Sequence, residues 1–330
     1  MEWDQRESFV IHHIQNKMAH GDSPALEPFN VLIKYSKPPF TLFHHTHIYL
    51  VCSEANLHIY SSISLQYMLS SLNAAASAAG KPEWGSTGPT DAGHYNNWPE
   101  DTRFFKKEGG GWNSSYGEFF LSWYSQILLD HGDTILSHAS SIFKPSSVKI
   151  SAKIAGIHWH YGTRSHAPEL TAGYYNTRYH DGYIPIAQML ARHGAIFNFT
   201  CIEMHNHEQP QNALCAPENL VRQVSLATQK AQVPLAGENA LPRYDERAHD
   251  QIVRASLLEG DREMCAFTYL RMNPQLFEED NWRRFVGFVQ KMKGGKNSHR
   301  SWEDKKKKDQ QQVEKVVPNL QSESNLVQRV

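Results

Sequence analysis

From Tyr116 onward the chain alternates short apolar runs with stretches of helical periodicity, and this alternation constrains the fold more than any other feature. Helix is predicted over Phe119–Phe143, strand over Val148–Ile157, helix over Tyr183–Arg192 and strand over Ile196–Met204. Helix over Pro217–Lys230, a short buried strand over Val233–Gly237, helix over Ala248–Glu259, strand over Cys265–Leu270 and helix over Trp282–Lys293 follow. In Tyr183–Arg192, Ile184, Ala187, Met189 and Leu190 share the buried side. Strands separated by helices at this spacing read as an α/β fold with a parallel sheet.

The sequence before Tyr116 is less regular. Phe29–Lys37 is a candidate strand, broken by Pro38-Pro39, and Thr41–Ile63 is apolar, His-dotted and β-rich. Tyr67–Ala79 reads as a helix because Met68, Leu69, Leu72 and Ala75/Ala76 recur at helical spacing, and Gly80 stops it. Lys81–Ser115 is rich in Gly, Pro, Asn and Asp, yet it carries Trp84, Trp98, Phe104, Phe105 and Trp112. That mixture suits a functional loop or a set of short excursions better than a linker. After Gly294-Gly295 the chain turns polar, with a lysine run at Lys305–Lys308, and reads as a disordered tail.

Composition excludes several classes. With 33 Lys+Arg against 34 Asp+Glu, the formal net charge is −1, so the chain has no positive excess with which to grip nucleic acid or an acidic membrane. No apolar run approaches the roughly 18–20 residues of a membrane helix. Cys52, Cys201, Cys215 and Cys265 are too few and too scattered for a disulfide framework or a zinc knuckle. Met1-Glu2-Trp3-Asp4 places acid where an export or transit peptide is basic.

Polar groups gather at the C-terminal ends of the predicted strands, the face on which parallel α/β folds build their sites. Lys153 lies inside the first strand and His158-Trp159-His160 closes it. Thr200 and Glu203 lie in or just after the second, Glu238-Asn239 follows the third and Arg271 the fourth. Glu238 emerges from the apolar run Val233–Gly237, where a carboxylate can act as general base on a water while Asn239 orients substrate hydroxyls. The alternative is a structural carboxylate paired with Arg243 or Arg271. His158/His160, His205/His207 and His44, His45 and His47 cluster as metal ligands do, but no Cys joins them at ligand spacing, and no metal is expected. Phosphate-binding glycine loops and a nucleophile elbow are absent. Cys201, on a strand, reads as core.

Several segments of the sequence resemble plant β-amylases, inverting enzymes of glycoside hydrolase family 14, most of all the plastid-type members. These are Gly156–Tyr161 (GIHWHY), His166–Asn176 (HAPELTAGYYN), Asn198–Met204 (NFTCIEM), Glu208-Gln209-Pro210 and Ala236–Asp245 (AGENALPRYD). Lys81–Trp84 and Asp91–Asn96 also match, and the resemblance runs from about Tyr67 to about Lys293. It implies a (β/α)8 barrel of which only about the last four β/α units are present. Residues 1–66 would be a non-family segment, 67–293 the C-terminal part of the barrel, and 294–330 the polar tail. It implies release of maltose from the non-reducing ends of α-1,4-glucans such as starch and maltodextrin, without metal or organic cofactor and without nucleic-acid or membrane partners. Glu238 would be the general base. Lys153, His158, Thr200 on a mobile inner loop, Asn239, Ala240 and Arg271 would bind substrate. The compartment would be the chloroplast by resemblance, or otherwise the cytoplasm given the acidic N-terminus.

The chain departs from the family in one chemically decisive way. Inversion needs a second carboxyl group, acting as acid roughly 6.5–9.5 Å from the base. In the family that acid lies in a GxxGELRYPSYP motif of the first half, and this motif is absent here. Glu203 and Glu169 are the nearest substitutes by position. A second departure is His205-Asn206, where the family usually has Arg-Asp. Weak or absent turnover is therefore expected. The competing readings are a non-catalytic glucan-binding or regulatory protein and a non-functional product of an altered transcript.

Overall fold

The computed structural model describes residues 30–34, 57–94, 97–143, 149–257, 263–270 and 272–293, and of 30–34 and 57–65 the backbone alone. The predicted tail 294–330, most of Thr41–Ile63 and Arg271 lie outside the described residues.

Five strands form one sheet in the order β1-β2-β3-β4-β5. These are β1 (Asn30–Lys34), β2 (Lys149–Ile154), β3 (Ile196–Phe199), β4 (Leu235–Glu238) and β5 (Ala266–Thr268). β2 to β5 pair in parallel, as the alternation predicts. β1, inside the candidate strand Phe29–Lys37, pairs antiparallel on the free side of β2, with Leu32 opposite Ser151. The crossovers are helical: α3 (Ala167–Thr171) and α4 (Tyr183–Arg192) between β2 and β3, α5 (Pro217–Ala231) between β3 and β4, and α6 (Glu246–Ser256) between β4 and β5. Before them come α1 (Leu57–Ala78) and α2 (Ser115–Phe143); α7, residues 279–293, follows β5.

Several boundaries differ from expectation for identifiable reasons. α1 begins at Leu57, ten residues before the predicted start, so the last part of the β-rich stretch is helical. The helix ends where Gly80 takes φ +69°. β3 stops at Phe199 instead of Met204, because Cys201 adopts φ +60° and turns the chain out of the sheet. β2 stops at Ile154, so His158 lies four residues beyond the strand and not at its close. α6 starts at Glu246, two residues early, because the Asp245 carboxylate accepts the Ala248 N–H at 3.0 Å and caps the first turn.

The core lies between the sheet and its crossover helices. Tyr183, Met189 and Leu190 of α4, Leu220 and Val224 of α5 and Ile252 of α6 bury against Phe197 and Phe199. Tyr183 and Phe199 meet edge to face at 6.0 Å, and full burial of each such ring is worth about 2 kcal/mol. The Lys81–Ser115 segment forms three 3-10 turns, Pro82–Gly85, Pro99–Asp101 and Gly111–Asn113. Its aromatics build a second small core of Phe104, Phe105 and Trp112 with Leu121 and Leu170. No helix among the described residues is long and apolar enough to cross a membrane.

Candidate active site

Strand register brings the site together. Lys153 of β2 lies beside Asn198 of β3, Asn198 beside Ala236 of β4, and Glu238 beside Thr268 of β5. Side chains alternate along a strand, so Lys153, Asn198, Glu238 and Thr268 project from one face near the C-terminal ends. Glu238 is buried, at 3% exposure. Its Oε2 accepts the Asn198 Nδ2–H at 3.1 Å, and its Oε1 stands 2.5 Å from Lys153 Nζ. That second contact is an ion pair without hydrogen-bond geometry. Lys153 is a third exposed, so its charge is partly screened while that of Glu238 is not. The cation beside Glu238 is thus Lys153, not Arg243, which pairs with Glu208 and Asp245.

Sequence reasoning did not single out Asn198. The signal was there: an amide between Phe197 and Phe199 on a buried strand needs a polar partner. Its Oδ1 is buried with no hydrogen-bond partner among the described residues.

The loops after β2, β3 and β4 carry the other predicted residues that are described, His158, Thr200, Asn239 and Ala240. His158 is half-buried, and burial lowers its pKa below the usual imidazole value, so it is neutral near pH 7. Its buried Nδ1 has no hydrogen-bond partner among the described residues. His160, at φ +57°, packs edge-on to Trp98 with ring centroids 4.7 Å apart, which joins the aromatic segment to this loop. Thr200 is half-buried at the turn after β3. Gly156 is required beneath that turn: a Cβ there would stand 2.7 Å from Cys201 Sγ and 3.1 Å from Thr200 Cγ2. Cys201 is core, and burial pushes its thiol pKa well up, away from nucleophilic chemistry.

The Asn239 side chain is occupied by the backbone. Its Nδ2 donates to Leu241 O at 3.0 Å and Leu270 O at 3.1 Å, and its Oδ1 accepts the Leu270 N–H at 2.6 Å. It ties the end of β4 to the segment that leads into Arg271.

Both candidate substitute acids are bonded elsewhere. Glu203 accepts the N–H groups of Ala240 and Leu241 at 2.6–3.0 Å. Burial raises its pKa, and these donors oppose the rise. Glu169 accepts from Tyr183 Oη at 2.6 Å and Asn176 Nδ2 at 3.1 Å, and meets His166 Nδ1 at 2.9 Å, in a closed network beneath the β2 loop. Of the histidine pairs, His205 lies 3.5 Å from Glu218 and His207 contacts Arg247. No group of three or more His, Cys, Asp or Glu among the described residues is arranged to hold a metal.

Comparison with known proteins bears on the family and the fold. The glycosyl hydrolase family 14 profile matches residues 56–298, beginning one residue before α1. The chain is 72% identical over 263 residues to "Beta-amylase 1, chloroplastic" of Arabidopsis thaliana, covering 78% of this chain and 46% of that protein. It is 68% identical over 229 residues to "Beta-amylase 2, chloroplastic" of Oryza sativa subsp. japonica, covering 69% of this chain and 41% of that protein. The chain thus spans less than half the length of these relatives. Among solved structures, the catalytic domain of a β-amylase from Paenibacillus polymyxa superposes with a TM-score of 0.55 at 27% identity, over 69% of this chain and 54% of that one. This likeness places the parallel sheet in a TIM-barrel-like α/β fold, and the chain belongs to glycosyl hydrolase family 14.

Proposed function

We propose that residues 67–293 are the last four β/α units of a β-amylase barrel, with a site directed at α-1,4-glucans and maltose. Glu238 is its general base. The observation that carries this reading is the buried Glu238 carboxylate at the C-terminal end of β4, held by Asn198 and paired with Lys153. One oxygen accepts from the Asn198 amide and the other pairs with the Lys153 ammonium, so the carboxylate is held in a fixed orientation from which it can act as base on a water. His158, Thr200, Ala240 and Arg271 contact the sugar, His158 as a neutral imidazole. Asn239 contributes by tying the end of β4 to Leu270. The expected boundaries at 66/67 and 293/294 fall inside the family match, residues 56–298, and β1 joins the sheet from before it. By likeness to the chloroplastic relatives, the compartment is the chloroplast.

The general acid is the missing function. Among the described residues the two candidate substitutes, Glu203 and Glu169, are both engaged as acceptors in other contacts. General-acid catalysis contributes about 10²–10⁴ in rate, or roughly 3–5 kcal/mol. This chain is therefore weakly active or inactive, and glucan binding outlasts turnover. The test is reducing-sugar release from soluble starch by the purified chain and by Glu238→Ala. Little release from either, with maltose binding by the folded chain, is expected. Strong release that Glu238→Ala abolishes would overturn the missing acid, and strong release that Glu238→Ala leaves intact would overturn the base. Glu238→Gln likewise changes little here but abolishes turnover in a full-length β-amylase.

A further inference from the structure

The end of β4 is held to the turn after β3 at several points. Ile202 N–H donates to Glu238 O at 3.4 Å. Ile202 also lies against Gly237, where a Cβ would stand 3.0 Å from its Cγ1 and 2.8 Å from Met264 Sδ, so the turn rests on β4 only because residue 237 has no side chain. The Glu203 carboxylate, 1% exposed, then takes the N–H groups of two consecutive residues, Ala240 at 2.9 and 3.0 Å and Leu241 at 2.6 Å. A buried carboxylate is costly without donors, and charge-assisted bonds to backbone N–H groups are among the strongest available to it. Thr200 lies three residues before Glu203, and Glu238 two residues before Ala240.

We propose that Glu203 is a positioning residue: its carboxylate clasps Ala240 and Leu241 and so sets the backbone above Glu238 in fixed relation to the turn that bears Thr200. The inference rests on the glucan-binding reading for its functional consequence, while the clasp itself is independent of it. Because the two loops share one fastener, displacement of the Thr200 turn is transmitted to the residues that flank the base.

The test combines amide hydrogen exchange with maltose titration calorimetry on the full chain, for wild type, Glu203→Ala and Glu203→Gln. In Glu203→Ala, exchange at Ala240 and Leu241 should rise roughly ten- to a hundredfold, the worth of one or two charge-assisted bonds. α4, Tyr183–Arg192, should remain protected. Glu203→Gln keeps one acceptor oxygen and should fall between, and maltose affinity should weaken in the same order. If Glu203→Ala does not fold, the Gln variant decides by the same readouts. Unchanged exchange at Ala240 and Leu241, or a rise spread evenly through α4, overturns the clasp. Faster exchange with unchanged maltose affinity overturns its positioning role. A wild-type chain that binds no maltose overturns the glucan reading instead, and the exchange pattern still decides the clasp.

Discussion

Single residues in this chain divide into those that face the site and those that hold the backbone around it. Glu238 at the end of β4 and Glu169 on α3 are both buried carboxylates, but only Glu238 pairs with a partly exposed cation; Tyr183, Asn176 and His166, the partners of Glu169, are themselves buried. Truncating Glu169 leaves the fully buried Tyr183 hydroxyl without its acceptor and the Asn176 amide with Gln223 Oε1 in place of the carboxylate. Glu169→Ala should therefore lower the free energy of unfolding by about 3 kcal/mol or more, read from urea denaturation. A loss within about 0.5 kcal/mol, the range of an ordinary surface change, would show that the network is dispensable.

At the scale of elements, α6, α7 and the end of β5 are joined through His249. Its ring stacks on Phe288 at 4.8 Å, its Nε2 meets the Tyr269 hydroxyl at 2.9 Å, and its buried Nδ1 has no hydrogen-bond partner among the described residues. Burial lowers its pKa from the usual 6.5 to about 4. A histidine depressed in the folded state takes up its proton on unfolding, so its contribution is complete above about pH 6.5 and lost as pH falls toward 4. Near pH 5 the loss is about 2 kcal/mol. Urea unfolding near pH 7.5 and near pH 5 should show this difference in wild type and a correspondingly smaller one in His249→Gln. Equal pH dependence in the two proteins would remove His249 as its source.

For the whole molecule, the decisive feature is a mixed sheet with unlike borders. β1 covers one side of β2, while the outer side of β5 carries no strand among the described residues. On α7, packed over β5 through Phe267 and Phe288, Trp282 and Val286 are exposed, and Phe277 stacks on Trp282 at 5.5 Å. An open edge flanked by apolar surface favours self-association. Light scattering should show a mass that rises with concentration, and Trp282→Lys should suppress the rise; a constant monomer mass in wild type would refute this. The same sheet shows what can be read from one dimension and what cannot. The order of strands and helices from β2 onward, the parallel pairing of β2 to β5 and the placing of Lys153 and Glu238 at strand ends were legible in the sequence, because apolar periodicity and strand-end polarity are local properties of the chain. The early stop of β3 was not, since it depends on Cys201 turning left-handed over Gly156. Nor were the partners: Asn198 meets Glu238 across 40 residues and Glu203 meets Leu241 across 38. Register between strands and the close approach of loops bring such groups together, and both are set by packing between distant segments, so only the tertiary structure decided which partners each buried carboxylate meets: Lys153 and Asn198 for Glu238, backbone N–H groups for Glu203.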